Sequence, residues 1–239
     1  MREAGLLFRL RHENIVRVYD AGELLDGRPF IKMEFFDGVN LYKAREQRAP
    51  TSEDAVTIVG KLAAAVEHAH SRSIIHRDVK PSNILLSNSN EVRLIDFGLG
   101  ILVEEAVNRA RLTKTAQQFG DAFSAPELLE DAKTTDPAVD IYSLGAVWFW
   151  LHAGHAPKGT GLEDVINGFG LATEVRKLLH ACLHPSAKNR PTARVLLDGL
   201  RDWFRGRPRE LPSRDPYARG RESIPTTIIP PRLRNEESL

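Results

Sequence analysis

The sequence predicts an α+β protein: a small β-containing N-terminal part followed by a mainly helical lobe. Three observations carry that prediction. Two short runs that alternate apolar and basic residues, Ile15 to Tyr19 and Phe30 to Met33, flank the turn signal Asp26-Gly27. Helical patterns with capping residues or a single apolar face take up much of the chain after Thr51. The run Val139 to His152 is apolar almost all round, as a helix at the centre of a helical lobe must be.

Taken in order, Leu6, Leu7 and Leu10 share one face and read as the end of a helix within residues 1 to 10. The β-hairpin follows. Thr51-Ser52-Glu53-Asp54 supplies capping residues for a long helix whose apolar face runs through Ile58, Leu62 and Val66 to about His70. Ile84-Leu85-Leu86 and Val92 to Ile95 are short β-type runs divided by the polar turn Ser87 to Asn90. Pro126 to Leu129 begins a short helix, and Leu171 to Leu183 and Thr192 to Phe204 are two amphipathic ones. Beyond Gly206 large apolar residues become scarce among Arg, Pro, Ser and Glu, which predicts a disordered Arg/Pro-rich tail over 206–239. The expected division is therefore 1–36, 37–205 and 206–239.

At 239 residues, 42% hydrophobic and 27% charged, the chain can bury the core of one domain or of two lobes. A net charge of +1 gives no global attraction to nucleic acid or to a membrane surface. The single cysteine, Cys182, excludes an intramolecular disulfide framework and fits a reducing compartment. No secretory signal opens the sequence, and Ile141 to Leu151 is too short to cross a bilayer. These features predict a soluble cytoplasmic protein with no membrane segment.

The chemistry is concentrated in His76-Arg77-Asp78-Val79-Lys80-Pro81-Ser82-Asn83, followed by Asp96-Phe97-Gly98. Asp78 is a candidate proton acceptor, Lys80 a cation beside it, and Asn83 and Asp96 are two hard oxygen donors suited to Mg²⁺. Phosphoryl transfer needs little more from protein than a positioned nucleophile, bridging metal ions and positive charge against the transition state.

These motifs resemble the catalytic signature of the eukaryotic-like (Hanks-type) serine/threonine protein kinases, and the resemblance extends from the first residue to about Arg205. It implies a protein-kinase-like fold with a truncated small β-containing N-lobe and a mainly helical C-lobe, with ATP and Mg²⁺ as cofactors and a protein substrate. By resemblance Asp78 is the catalytic base, Lys80 faces the γ-phosphate and marks a Ser/Thr acceptor, and Asn83 and Asp96 hold the metal. Met33 resembles the gatekeeper of the adenine pocket. The Glu34 carbonyl and Phe36 amide would read the purine edge, and Leu85 would form the floor. Arg77 resembles the loop arginine that pairs with a phosphate on the activation segment. Thr113 and Thr115 are either the receivers of that phosphate or solvated loop threonines. Ala125-Pro126-Glu127 and Arg190 match a buried structural pair, and Asp140 resembles the helix aspartate that holds the catalytic-loop backbone. Leu7, Val18, His76 and Phe97 fall where the family stacks a hydrophobic spine.

The pattern also breaks. The sequence contains neither the family's glycine-rich loop nor its strand lysine that holds the α- and β-phosphates, so Glu3, at the place of the helix glutamate, has no such lysine to pair with. The expectation is that an N-terminal region, or a further domain, is missing from this sequence, and that the chain as written grips ATP poorly. Where the family carries a threonine hydroxyl near the catalytic aspartate, this sequence offers Gly120 or Asp121. Three functions follow from these residues: a serine/threonine protein kinase, a non-catalytic pseudokinase-like binding module, and a small-molecule phosphotransferase of related fold.

Overall fold

The computed structural model describes residues 8, 10–26, 28–97, 122–131 and 134–206. Glu3, Leu7, Thr113, Thr115, Gly120, Asp121, the tail from Arg207 and all but Phe8 and Leu10 of the helix expected at the start lie outside the described residues.

The hairpin forms from β1 (Val18–Glu23) and β2 (Pro29–Met33), antiparallel, with Val18 opposite Met33 and Glu23 opposite Pro29. Its turn is tied by Asp26, whose carboxylate accepts from the Arg28 amide at 3.1 Å and from Arg28 Nε at 2.9 Å. The first strand begins later than the alternation predicts because Ile15 and Val16 are committed elsewhere. Both are buried, and the Val16 amide donates to the Leu94 carbonyl at 3.0 Å.

That second attachment belongs to a three-stranded sheet of β3 (Val39–Asn40), β4 (Ile84–Leu86) and β5 (Val92–Leu94), ordered β3-β4-β5 and antiparallel. Leu94 donates to the Asn14 carbonyl at 2.8 Å, and buried Asn14 donates from Nδ2 to the Val92 carbonyl at 2.9 Å. Ile15 thereby enters the same core as the helical lobe. β3 and the helix after it, α1 (Leu41–Gln47), have no counterpart in the sequence prediction. Asn40 links the two: its Oδ1 accepts from the Lys43 amide at 3.0 Å and caps the helix.

α2 (Ser52–His70) opens with a reciprocal cap in which Thr51 Oγ1 accepts from the Asp54 amide and Asp54 accepts from the Thr51 amide. Its apolar face rests against α4 (Ala138–Ala153), β5 and α7 (Ala193–Arg205). Between these lie the short helices α3 (Pro126–Glu130) and α5 (Leu162–Asn167) and the longer α6 (Thr173–Cys182). Helix α4 is buried on nearly every face, Trp148 and Phe149 completely, which accounts for its apolar composition. Gly145 lets α4 and α6 approach closely, since a Cβ there would lie 2.7 Å from Cys182 Cβ. Cys182 is itself fully buried, and burial pushes its thiol up to about 12, so it acts as a small inert hydrophobe. No helix among the described residues is long and apolar enough to cross a membrane.

Candidate active site

The candidate residues Asp78, Lys80 and Asn83 converge on a single turn. Residues Pro81–Asn83 form a short 3-10 helix after Lys80, closed by the Asn83 amide donating to the Lys80 carbonyl at 2.9 Å. Asn83 is buried, and its Nδ2 donates to both the backbone carbonyl and Oδ2 of Asp78, each at 2.9 Å. Lys80 Nζ lies 2.8 Å from the other carboxylate oxygen, Oδ1. Asp78 is thus held on both oxygens while its side chain stays 42% exposed, so a hydroxyl arriving from solvent can reach it. With the Asn83 side-chain nitrogen spent on Asp78, its oxygen has, among the described residues, only a long 3.4 Å contact from the Ser82 hydroxyl.

The loop leading to this turn is anchored from helix α4. Asp140, 0% exposed, accepts from the His76 amide at 2.8 Å on Oδ2 and from the Arg77 amide at 2.7 Å on Oδ1. His70 Nε2 lies 2.8 Å from the same Oδ2. Burial alone would raise the Asp140 carboxyl, but hydrogen bonds and charge from His70 and His76 outweigh it and hold it below its ordinary value. Arg77 needs this anchor, because it is held at φ 66°, a left-handed conformation that costs a side-chain-bearing residue about 1–2 kcal/mol. His70 enters the sequence prediction only as the end of the long helix, with no part in the site. Its place on the buried side of the last turn of α2 is the only signal that could have found it.

Asp96 enters from the end of β5. The Ile95 amide donates to the Asn83 carbonyl at 2.9 Å, tying the two loops, and Asp96 adopts φ 69°. Burial foremost raises its carboxyl above the ordinary value; the nearby Asp78 charge adds to this, while His76 and Lys80 oppose it. Phe97 packs against His76 in a tilted arrangement with ring centroids 4.5 Å apart, and His76 Nε2 reaches the Ile95 carbonyl at 2.9 Å. A narrow crevice brings Met33 and Val18 together with Asp96 and Phe97. Leu85 does not line that crevice; it stands in β4 opposite Asn40 and Arg93. Glu34 bonds backward to Arg17, its amide donating to the Arg17 carbonyl at 2.8 Å, and the Phe36 ring meets the Arg93 guanidinium at 5.3 Å.

Below the loop, Arg190 holds the Ala125-Pro126-Glu127 segment. Its side chain is 0% exposed and all its N–H groups are engaged. Nη1 and Nη2 donate to the two Glu127 oxygens at 2.5 and 2.9 Å. The carbonyls of Ala138, Pro185 and His184 accept the rest at 2.8 to 3.0 Å. Burial disfavours the Glu127 anion, yet the Arg190 hydrogen bond and charge win and keep its carboxyl below the ordinary value. Arg77 Nε is buried without a hydrogen-bond partner among the described residues.

Comparison with known proteins adds a family. The family model described as "Protein kinase domain" matches residues 1–204. The chain is 38% identical over 158 residues to the probable serine/threonine-protein kinase PknB of Lactococcus lactis, covering 65% of this chain and 24% of that protein. It is 40% identical over 162 residues to the serine/threonine-protein kinase PknL of Mycobacterium tuberculosis, covering 65% of this chain and 38% of that protein. It is 38% identical over 166 residues to PknJ of Mycobacterium bovis, covering 67% and 27%. The matched region therefore spans well under half the length of each of these relatives.

Proposed function

Because the chain belongs to the protein kinase family, we propose that it transfers the γ-phosphate of ATP to serine or threonine hydroxyls of a protein substrate. One observation carries the reading. Asp78 is oriented on both carboxylate oxygens, by Asn83 and by Lys80, and is exposed enough to meet an incoming hydroxyl. In the reaction the hydroxyl oxygen forms a bond to the γ-phosphorus as the bond from that phosphorus to the bridging oxygen breaks. The hydroxyl proton passes to Asp78, and the Lys80 ammonium offsets the negative charge that builds on the transferred group. Asp140 acts through the backbone, fixing His76 and Arg77 so that Asp78 keeps its position.

The donor set fits Mg²⁺. Asn83 turns its nitrogen to Asp78 and keeps its oxygen, and the half-buried Asp96 is a carboxylate whose raised pKa reflects burial near the Asp78 anion. When bound, the metal neutralises phosphate charge. Two hard protein oxygens suffice, because this ion keeps several waters and takes further ligands from phosphates. The serine/threonine specificity in the names of the relatives agrees with Lys80 two positions after Asp78. The lone buried Cys182 supports a reducing, cytoplasmic setting.

The test is phosphate incorporation into a degenerate serine/threonine peptide library by this 239-residue chain with Mg-ATP. The expected result is slow incorporation, in keeping with a weak grip on ATP, that Asp96→Asn abolishes. Incorporation equal to that of the Asp96→Asn chain would overturn the reading.

A further inference from the structure

Next to the catalytic turn lies a cleft whose composition speaks to substrate choice. It encloses about 430 Å³, and its lining includes Tyr42, Phe123, Trp150, His155, Ala156 and Lys158. One wall belongs to α1, the helix that packs against the Pro81–Asn83 turn. Another is Phe123, two residues before Ala125 of the segment held by Arg190.

Three aromatic rings make an edge-to-face cluster. Tyr42 meets Trp150 at 5.1 Å and Phe123 at 6.5 Å, and Phe123 meets Trp150 at 6.4 Å. Phe123 and Trp150 are 5% and 6% exposed, a rigid floor, whereas Tyr42 at 39% forms the edge. The Arg45 guanidinium already covers the Trp150 ring at 5.4 Å, with room for it at Gly154, where a Cβ would lie 2.8 Å from Arg45 Nη2. A ring facing one cation has less to offer a second. The exposed rim carries Lys158 and His155, and no carboxylate is among the described residues that line the cleft.

From this we infer that the cleft takes a large aliphatic or aromatic side chain of the protein substrate, close in sequence to the acceptor hydroxyl, and turns away arginine and lysine. The inference rests on the protein-kinase reading of the site. An apolar side chain would bury itself against the aromatic floor, while a basic one would meet Lys158 with no carboxylate among the described lining residues to offset it.

Fluorescent serine peptides differing only at the positions flanking the acceptor, with Leu, Phe, Ala, Glu or Arg at each, test it by binding to the 239-residue chain. At one or two of those positions the Leu and Phe peptides should bind about tenfold more tightly than Ala, and the Arg peptide should bind weakest. Reversing the rim with His155→Glu and Lys158→Glu, both at exposed positions, should recover roughly three- to fivefold of the Arg peptide's affinity per change. The Leu peptide should be unaffected, and thermal melting should show the variants folded. Equal binding of Ala and Leu peptides at every position, or Arg preferred by the unaltered chain, overturns the inference. Phosphate transfer is measured on the same peptides. Transfer without the ranking refutes only this inference; the ranking without transfer refutes the catalytic reading and leaves the cleft's selectivity standing.

Discussion

Replacing Asp140 by Asn changes one atom and should unseat the catalytic loop. The Asp140 side chain is 0% exposed and accepts three hydrogen bonds, from the His76 amide, the Arg77 amide and His70 Nε2. An asparagine offers one acceptor oxygen in place of two. If that oxygen keeps His76 and His70, the new NH₂ group points at the Arg77 N–H, and two donors face each other without water. The lost bond to a charged acceptor is worth about 1.5–3 kcal/mol, and the buried unsatisfied donor costs roughly 1–3 kcal/mol more. The sum, about 2.5–6 kcal/mol, is a large share of the ~5–15 kcal/mol that holds a domain folded. At about 2–4 °C per kcal/mol for a domain of this size, the melting temperature should fall by ~5–24 °C. Thermal and urea melts of the two chains measure this directly, and hydrogen exchange at the His76 and Arg77 amides should accelerate beyond the global loss. A variant that melts within ~2 °C of the parent, with both amides still protected, would show that Asp140 does not anchor the loop.

Arg190→Met should cost about 3–5 kcal/mol, because it leaves Glu127 and the carbonyls of His184, Ala138 and Pro185 without their buried donor; a urea titration with unchanged m-value checks it. Gly145→Ala should destabilise despite better helix propensity. Overpacking against Cys182 Cβ at 2.7 Å costs roughly 1–3 kcal/mol and outweighs the ~1 kcal/mol gained, and paired urea melts of the parent and variant chains measure the difference. His152, lowered by burial to about 4 from 6.5, gives a pH signature. Between those values the unfolded chain binds a proton that the folded chain does not, so stability falls as pH drops from 6.5 toward 4. The gap at pH 5 approaches ~2 kcal/mol and about 1 kcal/mol after allowance for partial exposure, and His152→Leu should remove it from paired melts at pH 7 and pH 5.

Much of the local structure was legible because it is written in neighbouring residues. The Thr51/Asp54 cap, the Asp26 turn and the all-apolar α4 each follow from a few adjacent positions. Elements too short to show a period were not legible: β3 has two residues and α5 has six. The first strand was misjudged at its start, since Ile15 and Val16 alternate like hairpin residues but are claimed by β5, a partner that no local pattern names.

The candidate site divides the same way. By itself the sequence determined which chemical groups are available, for Asp78, Lys80, Asn83 and Asp96 lie close along the chain and their types imply phosphoryl transfer. Only the tertiary structure decided how they are held. Asp140 bonds to a loop 64 residues away, Asn14 to a strand 78 residues away, and Arg190 to a helix 63 residues away. Tyr42, Phe123 and Trp150 meet in one cleft from three separate segments. Such contacts are selected by burial, where an unpaired polar group is costly and close-packed rings exclude water, and burial is a property of the folded chain as a whole.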